Sequence, residues 1–346
     1  MSFQIDEKFM VDCFEDLVNV PSPVGYSRQL DPVLERYAAQ VGSTVTYDRR
    51  GTAYITLSGR DNSKTVLLSA HADTLGLMVR TVESDGGILV RPVGGINFCN
   101  LDGEYVTVHT RSGRDFTGLM TCRSHSLHVY PDARTLERNE NTMVIRLDEP
   151  VSSREDVLSL GIRNGDYVFL DPHFRYTESG YLKSRFIDDK AAIACVFAAL
   201  KYYADTGEVP AFRTIFAFPY REEIGQGGCY VPPEVSEFIA LDIGLVGPEL
   251  DGTEHKVSIC AKDKDGPYDY ELTDRLVSCA EKAGCDYAVD VYYHYSSDAH
   301  AAVRGGNNLR SAVFGPGTYG SHGVERTHVS ALTNTAKLVL SYLSEK

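Results

Sequence analysis

Short carboxylate and histidine signatures recur along the chain in the order His71-Ala72-Asp73, Asp188-Asp189, Glu222-Glu223, Leu241-Asp242 and His322. Together they hold the donor types that a pair of divalent cations needs, imidazole nitrogen and carboxylate oxygen. One carboxylate can bridge two cations with its two oxygens, and an acid kept free of metal can move a proton. The chemistry this points to is metal-assisted hydrolysis. Each signature lies at or just beyond an apolar run that reads as a strand, so distant segments can deliver their ligands to one edge of a sheet.

Each signature also has a plainer reading. His-x-Asp is common by chance, and only its place after the apolar run Thr65–Ala70 gives it weight. In an extended segment, residues two apart point the same way. Asp73 is therefore expected to accept a hydrogen bond from one nitrogen of His71 while the other binds metal. Asp188-Asp189 precedes an apolar helix and could simply cap it; the functional reading assigns Asp188 to bridging and Asp189 to support. Glu222-Glu223 leaves a buried strand for a turn holding Gly225, Gly227 and Gly228. A solvated face would interleave basic partners, so here one glutamate is expected to ligate metal and the other to take a proton from water. Asp242 ends an apolar strand and needs a cation, a donor or solvent. His322 sits in a loop whose glycines permit unusual backbone angles. His109, His125, His128, His173, His255, His294, His300 and His328 lack such a setting.

The elements that must position these groups follow from periodicity. Helices are expected over 6–18, stopped at Pro21-Ser22-Pro23, and over 30–41, 189–203 and 274–283; strands over 45–47, 53–57, 65–70, 214–218, 238–241 and 311–314. Between about 81 and 165 the texture changes to short β-formers with a turn at Ser112-Gly113. There, Ser152 and Glu155 offer a capping box for a short helix ending at Gly161. The fold class expected is α/β, a mixed and mostly parallel sheet flanked by helices, with an inserted small β-rich domain. The boundaries are 1–80 and 166–346 for the catalytic domain and 81–165 for the insert.

Composition narrows the functional classes. At 346 residues the chain can bury a large core, and 43% hydrophobic with 24% charged residues is ordinary for a globular protein. A formal net charge of -14 argues against a nucleic-acid-binding surface. The start of the chain lacks the pattern of a signal peptide, and no apolar stretch is long enough to span a bilayer. A cytoplasmic location without membrane contact is expected. The eight cysteines form no Cys-x-x-Cys pair and read as reduced, mainly buried thiols.

In this order the motifs resemble those of the dinuclear-metal aminopeptidases of the tetrahedral type, the glutamyl, leucyl and deblocking aminopeptidases of the MH clan. The resemblance runs over nearly the whole length: Leu17 to Tyr26, His71-Ala72-Asp73, Leu158 to Asp166, Phe186-Ile187-Asp188-Asp189-Lys190, Glu222-Glu223-Ile224-Gly225, Ala240-Leu241-Asp242, Ser297-Asp298-Ala299 and Ser321-His322-Gly323-Val324-Glu325. It implies a zinc-peptidase-like catalytic domain acting on peptides, with two divalent ions per subunit, zinc or cobalt, manganese also being compatible. His71 and Asp242 would hold one ion, Glu223 and His322 the other, Asp188 would bridge them, and Glu222 would be the general base. The resemblance further implies a cis peptide between Asp188 and Asp189, and an insert that mediates assembly into homo-oligomers, from a dimer up to a dodecamer.

The chain departs from the family pattern at Thr74, where Glu is usual after the His-x-Asp step. It also departs at Gly323-Val324, where Ser-Pro is common, and at Tyr295-Ser296, where glycines usually precede Ser297-Asp298. None removes a ligand, although all can reshape the pocket. Two other readings of the same residues are an amidohydrolase or deacylase acting on a non-peptide amide, and a non-catalytic metal-binding scaffold. A requirement for a free terminal amine separates the first from an aminopeptidase, and any hydrolysis separates the second.

Overall fold

The opening segment is a helix because its apolar residues fall three and four apart. In α1 (Glu7–Val18), Met10, Cys13, Phe14 and Leu17 are buried, and Asp6 caps the start by accepting the Phe9 N–H at 3.0 Å. α2 (Asp31–Gln40) follows with Pro32 in its first turn, then β1 (Thr46–Tyr47), β2 (Ala53–Leu57) and β3 (Asp61–Ser69). This computed structural model describes residues 3–345, which divide into a larger unit, up to Thr74 and again from His173, and a smaller one, Leu75–Pro172.

The smaller unit contains β4 (Gly76–Val82), β5 (Ile88–Val93), β6 (Glu104–His109), β7 (Asp115–Cys122), β8 (Met143–Leu147), α3 (Arg154–Ser159) and β9 (Tyr167–Leu170). Its strands close into a barrel in the order β4-β5-β8-β7-β6-β9. Residues alternate in and out: Phe116, Met120 and Cys122 are buried, whereas Tyr105 and Leu119, directly paired across β6 and β7, face outward. Gly118 lets β7 and β8 approach, since a Cβ there would lie 2.6 Å from the Arg146 carbonyl oxygen. β4 begins before residue 81 and β9 lies beyond 165. The capping box of α3 is formed by Ser153 and Asp156, one residue later than the expected Ser152 and Glu155. The Asp156 carboxylate accepts both the Ser152 and Ser153 N–H groups at 2.9 Å, which draws the box along.

The larger unit resumes with β10 (Arg175–Tyr176), β11 (Tyr181–Ser184), α4 (Ile187–Thr206), β12 (Phe212–Phe218), β13 (Val235–Leu241), β14 (Gly244–Leu245), β15 (Val257–Asp263) and β16 (Gly266–Pro267). It ends with α5 (Tyr270–Ala283), β17 (Tyr287–Val291), α6 (Asp298–Arg304), β18 (Arg310–Thr318), β19 (Glu325–His328) and α7 (Val329–Ser344). The main sheet runs β1-β2-β12-β3-β13-β18-β15-β16, with β17 on β15 and β14 on β18; β10, β11 and β19 form a separate sheet. Its centre, β12-β3-β13-β18, is parallel, and the pairs β2-β12 and β18-β15 are antiparallel.

Both faces of that centre are covered, which is why its strands read as unbroken apolar runs. Phe218 stacks on Phe197 of α4 at 5.8 Å, while Ile215 and Ala217, of opposite parity, join Ala299 and Ala302 of α6 in a core cluster. α5 starts at Tyr270 rather than 274 because Asp269 caps it, accepting the Leu272 N–H at 2.8 Å. α7 lies outside the sequence expectations, although its partly exposed residues Ser330, Thr333, Lys337 and Ser344 recur at helical spacing.

Candidate metal centre

Four parallel strands in one sheet end on the same edge, and each hands over a residue there. His71 follows β3, Glu222 and Glu223 follow β12, Asp242 follows β13 and His322 follows β18. Asp188 and Asp189 come from the start of α4, where their backbone is non-helical and the peptide between them is cis.

Asp188 is the hub. Its Oδ1 lies 3.0 Å from His71 Nε2 and its Oδ2 lies 3.8 Å from His322 Nε2, so each carboxylate oxygen faces a different imidazole. His322 Nε2 is also 3.6 Å from Glu223 Oε2, and His71 Nε2 is 3.9 Å from Glu222 Oε2. The ligand atoms of His71, Asp188 and Glu223 lie within 4.8 Å of one another, as do those of Asp188, Asp189 and Asp242. Every residue singled out in the sequence for this centre is thus brought to it.

Asp73 plays a different part from the one expected. His71 Nδ1 faces the backbone carbonyl of Asp73 at 3.0 Å, and the Asp73 carboxylate is farther away, at 3.6 Å. That carboxylate instead accepts the N–H groups of Glu222 at 3.0 Å and Glu223 at 3.2 Å, fixing the short 3₁₀ turn Glu222–Ile224. The chain curls after β3, so the backbone oxygen reaches the ring first. A carbonyl only accepts, so Nδ1 carries a proton and Nε2 is directed at Asp188. Asp189 supports the same segment: its Oδ2 accepts the His71 N–H at 3.1 Å, while its Oδ1 is buried without a hydrogen-bond partner.

The electrostatics fit a cation-binding site. Burial pushes the carboxyls of Asp189, Glu222, Glu223 and Asp242 well above the usual carboxylate range, and neighbouring acids add to it. At Asp188 burial acts the same way, but the hydrogen bond and charge of His71, with His322 and Ser321, outweigh it and hold that carboxyl low. Burial opposes the charge of His71, yet Asp188 and Asp73 raise its pKa well above the ordinary imidazole value. No lysine or arginine pairs with these acids among the described residues. Lys190, next to Asp189 in the chain, turns its Nζ to the carbonyls of Leu17 (2.9 Å) and Val20 (2.7 Å). Packing several acids around two imidazoles with an orphaned carboxylate oxygen is costly unless positive charge enters from outside. The donor set therefore suits divalent metal.

Residues 51–338 match the family model described as M42 glutamyl aminopeptidase. The chain belongs to this family. It is an aminopeptidase, a hydrolase of peptide bonds. It is 40% identical over 335 residues, 96% of each chain, to the YhfE protein of Bacillus subtilis (strain 168). Among solved structures, the TET aminopeptidase of the marine sediment archaeon Thaumarchaeota archaeon SCGC AB-539-E09 has TM-score 0.87 at 18% identity and 97% coverage of both chains. The TET1 peptidase of Pyrococcus horikoshii has TM-score 0.82 at 22% identity, covering 97% of this chain and 100% of that one. These likenesses show that the fold is shared.

Two buried acids beside the centre lie within motifs that carry the resemblance, but had no role assigned from the sequence. Glu325 accepts the N–H of Asp188 at 3.0 Å and of His322 at 3.1 Å. Asp298 accepts the Gly228 N–H at 2.7 Å and leaves its Oδ2 unpartnered; burial, with Asp73 adding, pushes its pKa up to about 7. A further group, Asp263, Asp265 and His300, has ligand atoms within 4.8 Å of one another, but Tyr268, Ser296 and Arg304 already engage its oxygens, so it reads as a structural tie. No helix among the described residues is long and apolar enough to cross a membrane, and the cysteines are all free thiols.

Proposed function

We propose that the chain removes N-terminal residues from peptides at a centre of two divalent cations, zinc or cobalt, with manganese also compatible. His71 and Asp242 would hold one ion and Glu223 and His322 the other, with Asp188 placed to serve both. The observation that carries this reading is the Asp188 carboxylate, whose two oxygens face two different imidazoles. When bound, the metals supply Lewis acidity that polarises the scissile carbonyl and acidifies water.

Glu222 is the general base: it takes a proton from water and returns it to the departing amine. Its backbone N–H is pinned by Asp73 and its Oε2 stands 3.9 Å from His71 Nε2, so it borders the centre without being its hub. The surplus of carboxylates also suits a free α-ammonium group, which restricts cleavage to the first residue. We further propose cytoplasmic residence and assembly into homo-oligomers through the barrel unit. The exposed pair Tyr105 and Leu119 and the assembly of the Pyrococcus horikoshii TET1 peptidase into a tetrahedron or an octahedral shell support the latter.

The test is Glu222→Gln, metal-loaded and assayed on aminoacyl and N-acyl amides. Turnover should fall by about 10²-fold or more with metal content unchanged. Near wild-type turnover at equal metal content refutes the base assignment. Asp188→Ala should lose at least one metal equivalent, and retention of two refutes bridging.

A further inference from the structure

We propose that Glu325 is a positioning residue that holds two cation ligands from distant segments, Asp188 and His322, at a fixed separation; this rests on the metal centre proposed above. Glu325 opens β19, which pairs antiparallel with β11 so that Ser184 stands opposite Glu325. From Ser184 the chain passes through Arg185, Phe186 and Ile187 into Asp188, and Phe186 adopts φ 67. On the other side, Tyr319 bridges to Arg326, and the loop between them carries His322 at φ 62. Glu325 thus stands at the base of two turns, each containing a non-glycine residue in the left-handed region. Such residues persist only where surrounding contacts fix them.

The contacts are made by one side chain that is 2% exposed. Its Oε2 accepts the Asp188 N–H at 3.0 Å and its Oε1 accepts the His322 N–H at 3.1 Å. The two oxygens of one planar carboxylate are a fixed distance apart, so the two backbone segments are held to a common reference. Asp188 and His322 are the pair whose side chains meet at 3.8 Å across the centre. Only an acid can do this: glutamine has one acceptor and would turn its NH2 against the second N–H, and aspartate is shorter by one methylene. The geometry therefore separates Glu325 from a residue that merely tightens β19 against β11. Its removal shifts the ligands even when the strands stay paired.

The experiment titrates metal-free wild type, Glu325→Gln and Glu325→Ala with zinc against a chromogenic chelator, with circular dichroism confirming the fold. Wild type should bind two equivalents. Glu325→Gln should bind both about 10- to 100-fold more weakly, and Glu325→Ala more weakly still. Two tight equivalents in wild type and in Glu325→Gln, with affinities within about twofold, would overturn the positioning role while leaving the metal centre standing; no zinc binding by wild type would overturn both. If the variants do not fold, hydrogen exchange on metal-free wild type decides. The Asp188 and His322 amides should be protected, and exchange of both at open-loop rates would overturn the proposal.

Discussion

Asp73 offers the sharpest check on how the centre is held. Its carboxylate is fully buried and accepts two backbone N–H groups, from Glu222 and Glu223, at 3.0 and 3.2 Å. A hydrogen bond to a charged group contributes about 1.5 to 3 kcal/mol, so Asp73→Ala should cost roughly 3 to 6 kcal/mol, towards the lower end where water enters the space. Asp73→Asn keeps one acceptor and sets its NH2 against the other N–H, for roughly half that loss. At about 1.4 °C per kcal/mol for 346 residues, the alanine variant should melt about 4 °C or more below wild type in metal-free scanning calorimetry. Because the released turn carries Glu222, kcat should fall about 10²-fold for a displacement near 1 Å, with a smaller change in KM. Metal content of Asp73→Asn should hold, since His71 Nδ1 faces the backbone oxygen of residue 73, which the variant keeps. A shift under about 1 °C with kcat intact would show that the turn is fixed by something else. Loss of a metal equivalent in the asparagine variant would restore the role expected from sequence, a carboxylate orienting the imidazole.

Other predictions concern the strands behind the centre. At Gly315 a Cβ would lie 1.9 Å from the Asp242 carbonyl oxygen, so Gly315→Ala should push Asp242 away and lower metal content by up to one equivalent, read by elemental analysis; two full equivalents would show that β18 and β13 can part without disturbing the ligand. Glu237 is buried and accepts from Lys64 Nζ at 2.7 Å, from the Tyr342 hydroxyl at 2.5 Å and from Arg275. Burial alone would raise its pKa, but Arg275, Lys64 and Tyr342 prevail and hold it below the usual carboxylate value. A lowered folded pKa gives stability that is present above the unfolded value of about 4.3 and lost as pH falls through the folded one. Glu237→Gln should therefore cost about 2 kcal/mol at neutral pH, with the gap to wild type closing below about pH 4 in urea titrations. A gap constant with pH would mean that the lost stability is packing rather than charge.

How far the site was legible in the sequence depends on what kind of fact each residue carries. His71, Glu222, Glu223 and Asp242 follow apolar runs, and an acid or imidazole at the end of a doubly buried strand has few reasons to be there. The barrel was legible as a change to period-two patterning, although its first and last strands extend beyond the expected bounds because β4 and β9 border the larger unit's texture. The roles of Asp73 and Glu325 were not legible. Residues two apart in an ideal strand share a face, which suggested that Asp73 serves His71, yet the chain leaves the strand at Ser69 and the carboxylate turns to Glu222 and Glu223 instead.

By itself the sequence determined the donor inventory and the elements that present it. These are local matters: which side chains can ligate, and where a run of apolar residues must stop. The tertiary structure alone decided who holds whom. That Glu325 stands opposite Ser184 and bonds to both Asp188 and His322 depends on the register of β19 against β11, between segments well over a hundred positions apart. A backbone N–H looks alike on every residue, so no pattern of side-chain types records which carboxylate it will meet.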